Sequence, residues 1–270
     1  MPSEYVVLVL KTCTMRSKKH ISNLIYAGIV AISLLSSCEK DSESDIVVIE
    51  ANGNISAEVD EFRKLLGTTL NTAPGAVGGR RELNWEGVPD SLLGQTLPND
   101  FFNPEGSDPA LAVRQRGIQY EPSGNFMVSN TNFEEINSQA ASQFVAFSGS
   151  KTFANVNSDL WNITPEVPGL NMAATVKGFG IVFSDVDVAN STFIEFFNEQ
   201  KSLGKFYVPV HDNSTSHSFL GVYFKKEKVT KIRVGHDGVL GDGQKDITQQ
   251  AGAHDLIVLD DFLYDEPVQK

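Results

Sequence analysis

The residues equipped for chemistry are mostly acidic: 34 Asp and Glu stand against 22 Lys and Arg, a formal net charge of −12. Two carboxylate pairs have informative spacing. Asp185-Val186-Asp187, read as a strand, puts both carboxylates on one face, because side chains alternate with period two. Such a pair suits acid–base hydrolysis of a glycosidic bond or a ligand site, and equally an ordinary solvated face. Asp260-Asp261 sits inside an apolar run, with Leu256-Ile257-Val258-Leu259 before it and Phe262-Leu263-Tyr264 after it. One of the two must point inward, and a buried carboxylate requires a partner. Arg81 and a bound cation are the natural options. The histidines His211, His217, His236 and His254 all fall in or beside polar turns, and His211 with His217 does not make the convergent set that zinc needs. No Gly-x-Ser-x-Gly elbow, His-Glu-x-x-His or phosphate-binding glycine loop is present. Trp85 and Trp161 are the two residues that could stack on a sugar face. Trp85 alternates with Leu83, as a core residue does. Trp161, among Asn, Asp and Pro, is the candidate exposed platform.

Cys38 carries a different chemistry. Residues 15–38 run from a basic start (Met15-Arg16-Ser17-Lys18-Lys19-His20) through an apolar stretch, 21–35, to Ser36-Ser37-Cys38. That is the plan of a secretory signal, residues 1–37, with Met15 an alternative start. The apolar stretch is shorter than the roughly 20 residues that span a bilayer. Leu35-Ser36-Ser37-Cys38 resembles the lipobox of bacterial lipoproteins, in which the cysteine is acylated and becomes the first mature residue. The leader contains Lys11, Arg16, Lys18, Lys19 and Glu4, so its removal takes the charge from −12 to −15. Two or three acyl chains, at about 0.8 kcal/mol per buried methylene, hold a protein at a membrane essentially permanently. Residues 38–55 then read as an acidic tether. Its Lys40-Asp41 resembles the surface-export signal of Bacteroidetes lipoproteins, and a plain solvated linker explains it as well.

The elements that must position these residues are mostly strands. Residues 56–67 have helical spacing, with Ser56 as N-cap, Val59, Phe62, Leu65 and Leu66 on one face, and Gly67 as the stop. Beyond them, short runs rich in Val, Ile, Phe and Tyr recur at 144–147, 178–183, 193–197, 205–210, 219–224, 231–234 and 256–264. Asp237-Gly238 and Asp242-Gly243 are turn dipeptides between them. Eight or more strands without alternating helices predict an all-β, antiparallel β-sandwich of jelly-roll type, one domain over 68–270, behind a short N-terminal helix. Residues 88–130, rich in Pro, Asn and Gly, read as loops on that sandwich. Arg80 and Arg81 read as structural, pairing with carboxylates on neighbouring strands. An acidic chain lacks the positive field that nucleic acid requires.

Several stretches, in order from 60 to 267, resemble an uncharacterised family of secreted bacterial β-sandwich proteins, some of them tail-anchored in the PEP-CTERM manner. They include Phe62-Arg63-Lys64-Leu65-Leu66-Gly67, Gly79-Arg80-Arg81-Glu82-Leu83-Asn84-Trp85, Pro98-Asn99-Asp100-Phe101-Phe102-Asn103, Gly178-Phe179-Gly180-Ile181-Val182-Phe183 and Asp260-Asp261-Phe262-Leu263-Tyr264-Asp265-Glu266-Pro267. The resemblance implies a fold and an extracytoplasmic place, with no activity attached. Jelly-roll modules often bind calcium where first and last strands meet. Here Glu82, Asn84, Asp260 and Asp261 would be the ligands of a structural calcium. An Arg81–Asp261 or Arg80–Asp260 ion pair satisfies the same charge without metal. Asp237, Asp242 and Asp246 form a second calcium candidate. Two functional classes follow. One is a monomeric lipoprotein of the bacterial outer membrane, anchored through Cys38, whose non-catalytic domain binds glycan or protein through Trp161, Asp185 and Asp187. The other is a polysaccharide hydrolase or lyase using acidic residues such as Asp185 and Asp187.

Overall fold

The structure is a computed structural model that describes residues 44–138, 141–184, 186, 188–210, 217–237 and 256–270. Among them, β1 is Ile46–Gly53, α1 Ser56–Leu66, β2 Arg80–Leu83, β3 Ile118–Tyr120, β4 Phe126–Ser129, β5 Thr152–Asn155 and β6 Leu160–Pro165. There follow β7 Ala174–Thr175, β8 Gly178–Ser184, β9 Thr192–Asn198, β10 Lys201–Tyr207, β11 His217–Phe224, β12 Lys231–His236, β13 Val258–Asp265 and β14 Val268–Gln269.

One sheet has the order β1-β11-β8-β13-β5-β4, with β2 also on β13; the other has the order β10-β9-β12-β6-β3. Every pairing between these strands is antiparallel. Eight strands make the jelly roll. Counted from β5 and leaving out the two-residue β7, the first sheet holds the first, eighth, third and sixth (β5, β13, β8, β11). The second holds the second, seventh, fourth and fifth (β6, β12, β9, β10). The chain thus winds as paired ribbons around one core, which closes both sheets over a common apolar layer. The inward residues alternate as a half-buried strand requires: Phe179, Ile181 and Phe183 on β8, Leu220, Val222 and Phe224 on β11, and Ile232 and Val234 on β12. The all-β sandwich expected from the strand pattern is the fold observed.

The first sheet is covered on its outer face as well, which is why β8 is buried along its whole length. Helix α1 lies there, burying Val59, Phe62 and Leu66 against Ile49, Val182, Phe219 and Leu263. Two glycines make the seat. Gly180 and Gly221 are opposite each other in the β8–β11 register. A Cβ on either would stand 2.7–2.8 Å from the Phe62 ring.

Four local expectations differ from the structure. Residues 46–53, read as tether, form β1 along the whole of β11; the run Ile46-Val47-Val48-Ile49 finds an apolar edge. Residues 144–147 are not a strand, because this segment crosses the outer face of the first sheet, where Phe144 packs on Val258 and Phe147 on α1's cluster. Ser56 is the first helical residue and not the cap; its N–H meets Asn54 Oδ1 at 3.4 Å. Residues 88–130, read as loop, contribute β3 and β4.

Candidate functional site

The Asp260-Asp261 pair sits on a β-bulge. Leu259 opposes Phe183 and Phe262 opposes Ile181, so two residues of β13 face the single Val182 of β8. An inserted residue breaks alternation and re-aims a side chain. Leu259, Phe262 and Tyr264 point into the sandwich, while Val258 and Leu263 belong to outer clusters. Both aspartates contact Ser148 on that outer side. The bulge therefore keeps the second carboxyl out of the core. The same position marks where β13 exchanges one neighbour, β5, for another, β2.

Both carboxyls are buried, at 0% and 2% exposure. Asp260 Oδ2 accepts from the Phe147 N–H at 2.5 Å and the Ser148 N–H at 3.1 Å, and Asp261 Oδ1 accepts from Ser148 Oγ at 2.5 Å. Asp260 Oδ1 has no donor, and its neighbour is the Asp261 carboxyl. Burial, then the Asp261 charge, push Asp260 up to about 8, against the two backbone amides. Asp261 is also raised, first by burial. One proton on Oδ1, donated to Asp261, satisfies the arrangement: like charges this close do not both ionise near neutrality.

The partners named from the sequence are exchanged. Arg63 of α1 lies 3.6 Å from Asp261 and is bound to Glu82 at 3.0 Å and Asp60 at 2.9 Å. Arg80 goes to Glu82, and Arg81, fully buried, makes a bidentate pair with Glu266 at 2.7 and 2.8 Å. So neither an Arg81–Asp261 nor an Arg80–Asp260 pair forms. Arg81 also donates to the carbonyls of Ala73 and Gln115, tying two loops to β2. Of the four proposed calcium ligands, Asp260 and Asp261 come together. Glu82 is committed to two arginines, and Asn84 is exposed beside a cleft of about 110 Å³ that Trp85, Phe102, Arg114 and Arg116 also line. Among the described residues, no group of three or more His, Cys, Asp and Glu is arranged to hold a metal.

Trp161 is not a platform. It is 1% exposed, edge-on to Tyr120, Phe126 and Phe153 in the core. On β6, Trp161 and Ile163 point in while Leu160, Asn162 and Thr164 point out, so the polar neighbours that seemed to mark exposure occupy the other face. Trp85 is core, as expected, and donates its Nε1–H to the Asp260 carbonyl at 2.9 Å. His217 reaches the Val145 carbonyl at 3.0 Å. Cys38, Asp185, Asp187, His211, His254, Asp242 and Asp246 lie outside the described residues.

A second candidate surface is the outer face of the five-stranded sheet. A row of polar side chains crosses it strand by strand. Ser202 Oγ donates to Glu195 Oε1 at 2.9 Å, Arg233 Nη1 to Glu195 Oε2 at 3.4 Å, Arg233 Nε to Asn162 Oδ1 at 3.2 Å, and Asn162 Nδ2 to Glu121 Oε2 at 2.6 Å. Aromatic rings flank the row, Tyr207 exposed and Phe193 and Phe197 buried beneath basic side chains. On one side Phe193 packs edge-on to Tyr207, with Lys205 Nζ 3.8 Å above the Phe193 ring, and Tyr207 donates to Asp237 at 2.8 Å. On the other, Lys231 and Arg233 lie over Phe197 at 4.2 and 4.9 Å. Gly235 leaves room for Phe193, whose ring a Cβ there would meet at 2.6 Å. The sequence signal was available: Phe193, Glu195 and Phe197 alternate with the inward Ile194 and Phe196. Compared with known proteins, the chain matches no family model, no curated protein and no solved structure. The site must be read from its own chemistry.

Proposed function

We propose that the chain is a lipid-anchored, extracytoplasmic lipoprotein of the bacterial outer membrane, and that its jelly roll is a non-catalytic module binding a glycan on the outer face of the five-stranded sheet. The observation that carries the reading is that face. Sugars offer apolar C–H surfaces and hydroxyl edges. The Tyr207 ring, 37% exposed, suits the first, and the fixed Glu195–Arg233–Asn162 row suits the second, with planar groups already oriented; Phe193 and Phe197, buried at 2% and 7%, support the basic side chains above them rather than meet a ligand. The anchor rests on Leu35-Ser36-Ser37-Cys38, which ends eight residues before β1. The Asp260-Asp261 pair does not argue for a hydrolase, since at 0% and 2% exposure neither carboxyl can meet a polymer.

A glycan array with the chain 44–270, followed by titration of the best polysaccharide, tests the ligand. Arg233→Ala with Tyr207→Ala should weaken binding at least tenfold with an unchanged melting profile. Absence of any glycan binding, or turnover of the polysaccharide, removes the reading. For the anchor, Cys38→Ser should leave the membrane fraction or remain unprocessed. A Cys38→Ser chain processed and membrane-bound like wild type would refute it.

A further inference from the structure

Among the described residues, one end of the sandwich gathers most of the exposed large apolar side chains. The β1–β11 register places Ile46 beside Phe224, so the start of β1, the β11–β12 turn and the end of β13 share this end. Nine large apolar side chains are exposed among the described residues, and six of them are here: Leu70, Val77, Val113, Leu170, Met172 and Val268. They sit on segments that hold one another. Gly169 N–H donates to Asn103 Oδ1, Glu266 N–H to the Gly79 carbonyl, and Lys270 N–H to the Ala173 carbonyl.

Lysines rim the patch although the chain is strongly acidic. Lys225, Lys226 and Lys228 lie in the β11–β12 turn, bridged to β7's flank through Val229 and Val176. Lys177, Lys201 and Lys270 adjoin them. Among the described residues, Asp45, Glu199 and Glu227 stand among these lysines, paired with Lys226, Lys270 and Lys201 at 2.6–2.8 Å in solvent-exposed bridges. Such surface pairs hold little energy and exchange readily for other anions. Asp100, Glu105 and Asp108 stand on the 100–116 segment with Arg114 and Arg116, an excess of one carboxylate there. Glu166, Asp265 and Glu266 also lie at this end, and their carboxyls are turned inward or capped by donors.

We propose that this end docks on an anionic phospholipid bilayer, with the six apolar side chains entering the headgroup layer and the lysines meeting phosphates. The inference deepens the lipoprotein reading and rests on it for orientation. Six residues separate Cys38 from Asp45, so a fully extended tether reaches about 25 Å at most. The end bearing Asp45 is then the one held next to the lipid. Charge complementarity supports the choice of occupant. A second copy of this chain, at net −15 once the leader is removed, would be repelled overall, whereas an anionic surface attracts clustered lysines locally, within a Debye length of about 8–10 Å. Each lysine near such a surface contributes roughly fivefold in partition, and each inserted side chain adds to it.

The test is cosedimentation of the chain 44–270, a compact unit with its own core, with two kinds of vesicle. One is phosphatidylcholine alone and the other contains about one-third phosphatidylglycerol. Binding is expected only to the anionic vesicles, and to fall at least tenfold between about 0.05 M and about 0.5 M salt. Lys225→Glu/Lys226→Glu/Lys228→Glu, all in a solvated turn, should reduce it more than tenfold. Leu170→Asn/Met172→Asn should reduce it independently of salt. Equal binding to both vesicles, no binding to either, or a stable dimer by sedimentation velocity that the Leu170→Asn/Met172→Asn variant dissolves would overturn the proposal. The wild-type salt dependence decides even where a variant misfolds. Because Cys38 is absent from this experiment, its failure is distinct from failure of the anchor, which the Cys38→Ser fractionation reads.

Discussion

Replacing Asp260 by Asn probes the proton shared with Asp261. Asn keeps the volume, its oxygen still accepts from the Phe147 and Ser148 amides, and its Nδ2 donates toward Asp261 without a titrating proton. The wild-type carboxyl is raised from 3.8 to about 8 by burial and by the Asp261 charge. Between those values the folded chain holds a proton that the unfolded chain has released. Stability is therefore greatest at the acid end of that window and falls as pH rises, by up to about 1.4 kcal/mol per unit, until about pH 8. Over the three units to neutrality the loss reaches about 4 kcal/mol at most. Asp260→Asn removes this slope, so it should gain roughly 2–4 kcal/mol at about pH 8, or roughly 5–10 °C for a domain of this size. Thermal and urea unfolding of both proteins from about pH 5 to about pH 8.5 give the comparison. Asp265, raised to about 6 by burial, adds a falling limb of its own below that value. That limb is common to both proteins and cancels in the difference. An Asp260→Asn chain that is no more stable than wild type at the alkaline end, with a difference flat in pH, would refute the shared proton.

Arg81→Leu should destabilise by about 3–5 kcal/mol in urea, because it strands the buried Glu266 carboxylate; Arg81→Leu/Glu266→Leu should recover part of that loss. Gly180→Val drives two methyls into the Phe62 ring and should cost about 1–3 kcal/mol while loosening α1. Hydrogen exchange at the α1 amides reads the second effect, and unchanged protection there would contradict the packing described. Calcium at Asp260-Asp261 would have to displace both the shared proton and the Arg63 guanidinium. Melting midpoints in millimolar calcium and in EGTA are expected to coincide at neutral pH, and a rise with calcium would put metal in place of the proton.

The jelly roll was readable because its strands carry their signature locally. Residues 178–183 and 219–224 are dense in β-branched and aromatic residues, and the flanking polar turns delimit them. The helix at 56–66 was equally plain, since Val59, Phe62 and Leu66 mark one face. Burial of Trp161 was present in the alternation of 160–164, but the polar outward residues read more strongly than the period. β1 was hidden by its acidic approach, since composition pointed to a linker while the four apolar residues of 46–49 pointed to a strand. The carboxyl pair was found, and its partner was not. Arg63 reaches Asp261 only because α1 folds onto the outer face of the sheet, nearly 200 positions away in sequence. A bulge has no signature of its own: two adjacent aspartates in an apolar run are what it looks like, and only the register with β8 shows that both face outward.

The pairing of early strands with late ones has a consequence for how the chain comes into being. β1 and β8 wait for β11, β6 for β12, and β2, β5 and the other edge of β8 for β13. The five-stranded sheet needs nothing beyond β12, but the seven-stranded sheet cannot close until β13 has been synthesised, so its earlier strands stay open until then. Non-local topologies of this kind fold in about milliseconds to seconds, and the apolar runs of β8 and β11 are exposed throughout that interval. A polypeptide whose larger sheet closes only when β13 arrives is one that can still be threaded through a narrow channel before then.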